Sequence, residues 1–158
     1  AGISKPTFFA YFKSKEQILF EFDLLQLEEL QRVMEAQTKE TILPSLRASI
    51  IRMATKLHTT RIFTQNMMHL LTINTEYKEF LKEMFERFQS IVQETIEKAR
   101  RHGLIEDRIT SAEIARDIIS IYMGGLVNWV ISNGIEPLDV ILGNALDHYF
   151  SGIVIHEA

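Results

Sequence analysis

The 158-residue sequence contains no cysteine, which excludes disulfide bonds and thiol chemistry. It has only three prolines and seven glycines, and no alternating apolar pattern bounded by turn residues, so β-strands are not expected. No run of 18 apolar residues occurs, and we therefore expect no membrane-spanning helix. Motifs of the types H-E-x-x-H and G-x-S-x-G and the phosphate-binding loop are also missing. We therefore predict no catalytic site and no cofactor.

Metal binding is not expected either. None of the five histidines has a glutamate three positions before it, so the Glu-x-x-His pattern of di-iron helical bundles is absent. Isolated histidines on helices are more often structural or solvated than metal ligands. The histidines are His58, His69, His102, His148 and His156.

The composition is that of a globular domain with an uneven charge distribution. Hydrophobic residues make up 46% and charged residues 24% of a chain that is long enough to bury a substantial core. The net charge is −4, yet residues 1–15 contain three lysines and no acidic residue. An acidic body with a basic tip would present only that tip to a polyanion such as DNA.

Helical periodicity predicts an all-α fold. Apolar residues recur at helical spacing, and capping motifs mark several helix ends. Ser14-Lys15-Glu16-Gln17 and Thr110-Ser111-Ala112-Glu113 both read as capping boxes, and Gly103 suits a left-handed helix cap. The predicted helices cover approximately residues 15–36, 42–59, 62–71, 74–102, 111–132 and 137–154.

The first residues, AGISKPTFFAYFKSKEQ, predict a separate short helix. The Ser4 hydroxyl can cap its first turn, and Pro6 fits that turn because the missing N–H has no helical partner there. Aromatic residues follow, with lysines on both sides. A short, cationic, aromatic helix is suited to a DNA groove.

This segment resembles the recognition helix and the start of the next helix in the TetR family of bacterial transcriptional regulators. The family pattern is matched without a gap at Ala1, Gly2, Ile3, Ser4, Pro6, Thr7, Phe8, Phe9, Tyr11, Phe12, Ser14, Lys15, Glu16 and Leu19. The resemblance implies that residues 1–13 end a helix-turn-helix DNA-binding domain and that residues 14–158 form a helical ligand-binding and dimerisation domain. It also implies two further helices before Ala1 and a cytoplasmic location.

The resemblance assigns DNA contacts to one group of residues. Lys5 and Lys15 can neutralise phosphates, Thr7 can donate to a phosphate or a base edge, and the Tyr11 hydroxyl can reach a phosphate. Relatives usually carry tyrosine at position 9, so Phe9 loses one phosphate hydrogen bond. The alternative is a generic amphipathic helix with a solvated cationic face. The predicted DNA-binding residues are Lys5, Pro6, Thr7, Phe9, Ala10, Tyr11 and Lys15.

Methionine and aromatic side chains on the central helices indicate a ligand cavity, because they line adaptable pockets well. His58 and Asn128 could supply polar contacts to a ligand. The alternative is that the same stripe is ordinary core. The predicted ligand-binding residues are Met53, His58, Phe63, Met67, Phe85, Phe88, Tyr122, Asn128 and Trp129.

A dimer is predicted from the last two helices, which are apolar over broad faces. Gly124-Gly125 lies inside the first of them, where each glycine costs roughly 1 kcal/mol relative to alanine, and a close helix contact would justify that cost. Pairing with a second copy would form a four-helix bundle. Alternatively, both helices close the core of a monomer. The predicted interface residues are Ile121, Gly124, Gly125, Leu142, Leu146, Tyr149, Phe150 and Ile153.

Together these patterns predict a ligand-responsive transcriptional regulator rather than an enzyme. We expect a homodimeric repressor that leaves a palindromic DNA operator when a small, largely apolar effector binds. The rival interpretation is an all-α enzyme or carrier that holds an apolar molecule in a helical bundle. That rival does not account for the lysine-flanked segment SKPTFFAYFKSK.

Overall fold

The computed structural model describes the backbone of residues 15–155 and the side chains of residues 20–155. This part of the chain contains six helices, and no strand occurs within it. The predicted all-α class is confirmed, and the helix ends agree with the predicted ones to within a few residues. The helices are α1 Lys15–Glu35, α2 Ile42–Leu57, α3 Arg61–Ile73, α4 Thr75–Arg101, α5 Ser111–Ile131 and α6 Leu138–Ser151.

Side-chain caps start three of these helices. The Thr60 hydroxyl accepts from the backbone N–H of Phe63 at the start of α3, and the Asn74 side chain accepts from that of Tyr77 at the start of α4. At the start of α5, Thr110 and Glu113 form both hydrogen bonds of the predicted capping box. The Ser14 box lies outside the described residues.

The long helix α4 lies at the centre of the domain. It packs against α1, α2, α3 and α5, while α2 and α5 also contact α6. The core between them is apolar and excludes solvent. Its fully buried members include Leu46, Ile50, Val92, Ile96, Ile114, Ile118, Leu142 and Leu146.

Helix α5 is apolar on more than one face. By length and hydropathy alone it is long and apolar enough to cross a membrane, although it contains no uninterrupted run of 18 apolar residues. The same composition is found in the core helices of soluble proteins, and α5 buries Ile114, Ile118, Tyr122 and Leu126 against its neighbours. The opposite face carries Glu113 and other charged residues near its start and exposed apolar residues near its end.

The two adjacent glycines of α5 have different surroundings. A Cβ atom on Gly125 would lie 2.4 Å from Cδ2 and 3.3 Å from Cγ of Leu142, so Gly125 permits the close approach of α5 and α6 within one chain. Gly124 is exposed, with nothing within 4 Å of its Cβ position. The sequence correctly suggested a close helix contact. For Gly125, however, that contact is with this chain's own last helix rather than with a second copy.

Alanine substitutions at the two glycines should therefore change stability in opposite directions. Gly124→Ala should raise the free energy of unfolding by about 0.5–1 kcal/mol, because helix propensity improves and nothing collides. Gly125→Ala should lower it by about 1 kcal/mol, because overpacking against buried Leu142 outweighs that gain. Urea denaturation followed by circular dichroism, at one protein concentration, measures both. Equal effects of the two substitutions would contradict this account of the α5–α6 contact.

Candidate ligand-binding cavity

A cavity of about 80 Å³ lies among the first five helices. Leucine, methionine and aromatic side chains dominate its wall, and Asp23, His58, Thr64 and two tyrosines are the polar exceptions. Large, soft side chains suit a binding site for an organic molecule. The lining residues are Asp23, Leu27, Met53, Leu57, His58, Thr64, Met67, Met68, Leu71, Tyr77, Leu81, Met84, Phe85, Phe88, Tyr122, Met123 and Leu126.

The structure brings together six of the nine predicted ligand-binding residues. Three others lie outside the lining. Asn128 is exposed and is not among the three α5 residues that line the cavity, which are Tyr122, Met123 and Leu126. Trp129 is half-buried at the end of α5 beside Gly134, and Phe63 is half-buried near the start of α3. The residues found together are Met53, His58, Met67, Phe85, Phe88 and Tyr122.

Helix α4 contributes one long wall. Tyr77, Leu81, Met84 and Phe88 recur at helical spacing, so their side chains follow one face of the helix into the cavity. The rings of Phe88 and Tyr122 meet edge to face, with their centroids 5.7 Å apart. This is a favourable geometry for an aromatic pair, so the contact links α4 to α5 within the cavity wall.

His58 ends α2 as a buried, neutral side chain. Its Nδ1 atom lies 3.0 Å from the Thr64 hydroxyl oxygen, which joins the end of α2 to α3. Burial lowers the pKa of His58 to about 4, so the imidazole carries no charge at neutral pH. The ring therefore offers the cavity a polar edge without a positive charge.

Asp23 is a charged lining residue that is not among the predicted ligand-binding residues. It lies on α1, and its side chain is only 7% exposed. Burial raises the pKa of its carboxyl group from 3.8 to about 7. The available sequence signal was its position in the stripe Asp23, Leu27, Leu30 and Met34, where a carboxylate interrupts an otherwise apolar helix face.

Tyr77 adds a second unpaired polar group. Its side chain is fully buried, and its hydroxyl has no hydrogen-bond partner among the described residues. Burial, followed by the negative charge of Asp23, raises the pKa of Tyr77 above its ordinary value, and the same two causes come first for Tyr122. Both phenols are therefore neutral at any physiological pH. The cavity thus contains a carboxyl group and phenols but no basic side chain that ionises at neutral pH.

Helix α1 connects this cavity with the predicted DNA-binding segment. Lys5, Pro6, Thr7, Phe9, Ala10 and Tyr11 lie outside the described residues, and so does the side chain of Lys15. Lys15 is the first residue of α1, and Asp23 follows eight residues later. At 1.5 Å per residue, about 12 Å of helix separates the two. Among the described residues, no three His, Asp or Glu side chains form a cluster that could hold a metal.

The predicted interface residues fall into two groups. Gly125, Leu142, Leu146, Phe150 and Ile153 are buried within the single chain, because α6 turns its apolar stripe toward α2 and α5. Little of their surface is therefore left for a contact with a second copy. Gly124 is exposed, while Ile121 and Tyr149 are half-buried.

A different set of apolar residues remains on the surface of α5 and α6. Val127 is 41% exposed, Ile131 is 74% exposed and Val140 is 40% exposed. Ile135, in the loop between the two helices, is 86% exposed. We call Val127, Ile131, Ile135 and Val140 the apolar patch.

No family model and no curated protein matches the chain. Solved structures do match it, among them the following two, which cover nearly its whole length. One is SmeT, described as the repressor of the Stenotrophomonas maltophilia multidrug efflux pump SmeDEF, with 20% identity, a TM-score of 0.72, and coverage of 98% of this chain and 76% of SmeT. The other is the reduced form of E. coli NemR, with 15% identity, a TM-score of 0.60, and coverage of 99% and 82%. The chain therefore has the all-α fold of TetR-type regulators, as the resemblance implied.

Proposed function

We propose that this protein is a non-enzymatic, ligand-responsive transcriptional repressor that binds a DNA operator. The observation that carries the proposal is the position of α1, which follows directly on the lysine-rich, recognition-like segment and also forms part of the cavity wall. A molecule bound in the cavity therefore contacts the helix that leads to the DNA-binding segment. The description of SmeT as a repressor supports the same assignment.

DNA binding is assigned to residues Lys5, Pro6, Thr7, Phe9, Ala10, Tyr11 and Lys15. The three lysines of residues 1–15 provide the positive charge, while the rest of the chain is acidic and would not approach DNA. Thr7 and Tyr11 add hydroxyl groups for phosphate or base contacts. We expect binding to a palindrome, because two copies of the segment about 34 Å apart would enter successive major grooves.

The response to an effector requires two arrangements of the dimer with different operator affinity. An effector shifts the population only by the difference between its affinities for the two arrangements. Asp23 on α1 and Phe88 on α4 both line the cavity, so a ligand that changes the distance between these helices also moves the start of α1. A changed spacing between the two recognition segments would weaken operator binding.

The homodimer is assigned to the exposed side of α5 and α6. Val127 and Ile131 of the apolar patch are exposed four residues apart, so they lie on one side of α5. On the same side, the Tyr149 hydroxyl donates to Asp117 at 2.7 Å and fixes α6 against α5. A stable dimer should bury well over 1,000 Å² in total, which requires most of this side of both helices.

The rival function is an apolar-molecule carrier, and the largely apolar cavity lining is compatible with it. A carrier needs neither a cationic N-terminal segment nor a paired arrangement of that segment. DNA binding by the full-length protein therefore decides between the two functions.

Selection of genomic fragments by the full-length protein should recover a palindrome, with affinity that falls steeply as the salt concentration rises. Lys15→Ala should weaken binding to all sequences equally and reduce the slope of log affinity against log salt by about 1, because one phosphate contact is lost. Lys39→Ala is the matched control, since Lys39 is exposed in the turn after the far end of α1. Fluorescence anisotropy measures both slopes. An absence of salt-dependent binding in the wild-type protein would refute the regulator function.

A further inference from the structure

We propose that the cavity binds a lipophilic organic cation whose positive charge pairs with the carboxylate of Asp23. This inference rests on the proposed effector role of the cavity and specifies the class of effector. Asp23 is only 7% exposed, yet it has no hydrogen bond or ion pair with any residue in the described part of the chain. No lysine or arginine contributes to the lining.

An unpaired carboxylate in this cavity lowers the stability of the folded protein. Burying a charge away from water is unfavourable unless a partner of opposite sign or several hydrogen-bond donors compensate. The protein supplies no such partner in the described residues, so a ligand that brings a positive charge would gain an interaction that an uncharged ligand lacks. An anionic ligand would be repelled by the carboxylate of Asp23 and would find no basic side chain to compensate.

The surrounding groups leave Asp23 as the only ionisable side chain of the lining that titrates near neutral pH. From α2 it is faced by His58, which burial keeps neutral with a pKa of about 4. From α4 and α5 it is faced by the phenols of Tyr77 and Tyr122, whose pKa values are raised. The part of α3 that lines the cavity contributes Thr64 and apolar side chains.

The aromatic wall strengthens the choice of a cation. Tyr77, Phe85, Phe88 and Tyr122 all line the cavity, and a cation near the face of an aromatic ring is attracted by the negative charge of that face. The unpaired Tyr77 hydroxyl oxygen can in addition accept from the N–H of a protonated amine. The sequence predicts a largely apolar effector because Asp23 is not among the predicted ligand-binding residues, and the charge of its carboxyl group changes that expectation.

Two molecules of nearly equal shape, one positively charged and one uncharged, test the proposal. Phenyltrimethylammonium carries a permanent positive charge, and tert-butylbenzene is its uncharged isostere. Binding to the full-length protein is measured by ligand-observed nuclear magnetic resonance titration at pH 8 without DNA. We expect the wild-type protein to bind the cation at least tenfold more tightly than the isostere.

Asp23→Asn and Glu28→Gln form the matched pair of variants. Both substitutions remove a carboxylate from α1. Glu28, however, is exposed, and its Oε1 atom lies 4.0 Å from Nη2 of Arg87 on the surface. Asp23→Asn should lose the preference for the cation and retain binding of the isostere, while Glu28→Gln should behave as the wild type. Circular dichroism verifies that both variants are folded, which is expected because Asp23→Asn removes an unpaired charge.

The pH dependence gives an independent readout. A permanently charged ligand binds the ionised form of Asp23, so its affinity for the wild-type protein should rise about tenfold between pH 6 and pH 8. The isostere should show no such rise, and neither ligand should show it with Asp23→Asn.

Equal affinity of the two molecules for the wild type, with no change in Asp23→Asn, would overturn the cation proposal and leave the cavity as a site for uncharged effectors. Binding of neither molecule would overturn both the cation proposal and the effector role of the cavity. Neither result depends on DNA. Failure of the regulator function, shown by the absence of operator binding, is therefore distinguishable from failure of this proposal.

Discussion

Asp23→Asn should raise the free energy of unfolding at pH 8 by up to about 4 kcal/mol. In the folded protein the pKa of Asp23 is about 7, whereas its ordinary value is 3.8. At 1.36 kcal/mol per pH unit, this difference corresponds to about 4 kcal/mol of destabilisation once the folded protein carries the ionised carboxylate. Asparagine has nearly the same shape and no charge, so it avoids that cost.

The sign of the pH dependence follows from proton binding. Between pH 3.8 and about 7 the folded state holds the Asp23 proton more tightly than the unfolded state, so this residue lowers stability as the pH rises. His58 acts in the opposite direction. Its pKa is lowered from 6.5 to about 4, so the unfolded state binds more protons in that range and stability increases with pH.

The two residues should largely cancel in the wild-type protein between pH 4 and pH 6.5. Asp23→Asn removes one of the two opposing slopes, so the stability of the variant should rise by up to about 3 kcal/mol over this range relative to that of the wild type. Comparing the two proteins removes the contributions of all other titrating groups. Guanidinium denaturation at several pH values measures the difference.

Glu28→Gln is again the control, because Glu28 is exposed and its replacement should change stability by less than about 1 kcal/mol. Parallel pH profiles for the wild type and Asp23→Asn would contradict the buried, unpaired state of Asp23. The cation proposal would then lose its energetic basis.

Helix type and helix ends were predictable because they depend on local interactions. The Thr110–Glu113 capping box lies within four residues of sequence, and its hydrogen bonds are formed as predicted. The left-handed conformation at Gly103, with φ of 72°, likewise follows from the end of one helix alone.

The orientation of α5 was not predictable from periodicity. Apolar residues occupy more than one face of this helix, so the pattern does not indicate which face meets the cavity, the core or the surface. Periodicity alone therefore does not decide whether Asn128, Trp129 and Gly125 face a ligand, a neighbouring helix or a second copy. The partner of Gly125 is Leu142, and a contact between two helices is decided by packing that neither helix specifies by itself.

Asp23 illustrates a second limit. The sequence shows a carboxylate in an apolar stripe, but it does not show whether that position meets solvent, an arginine or a cavity. Only the packing of α1 against α4 places Asp23 in the same wall as Tyr77. The predicted aromatic and methionine residues identified the region of the cavity, whereas the charge within it required the three-dimensional arrangement.

The other large expected effect concerns the apolar patch. Val127→Glu should convert the proposed dimer to a monomer. The substitution would place one carboxylate from each copy in the dimer interface, where both would lose contact with water. Val127 is 41% exposed in the single chain, so the variant monomer should remain folded. Sedimentation velocity at micromolar concentration should show a species of half the wild-type mass.

Operator affinity should decrease with the loss of the dimer. Two recognition segments held in one particle bind the second half-site at a high effective concentration, which is generally worth a factor of 10²–10⁴. Val127→Glu should therefore weaken binding to a palindromic operator by about that factor, although the substitution lies on α5 rather than in residues 1–15. Binding to a single half-site should change little.

Ile73→Glu provides the control for adding a charge at an exposed apolar position. Ile73 is 64% exposed at the end of α3, outside the apolar patch, so this variant should remain dimeric and bind the operator normally. If Val127→Glu and Ile73→Glu both stay dimeric, the dimer interface does not include the apolar patch. If Val127→Glu becomes monomeric and still binds the palindrome as the wild type does, the operator is read by single copies, and control of their spacing cannot be the mechanism of release.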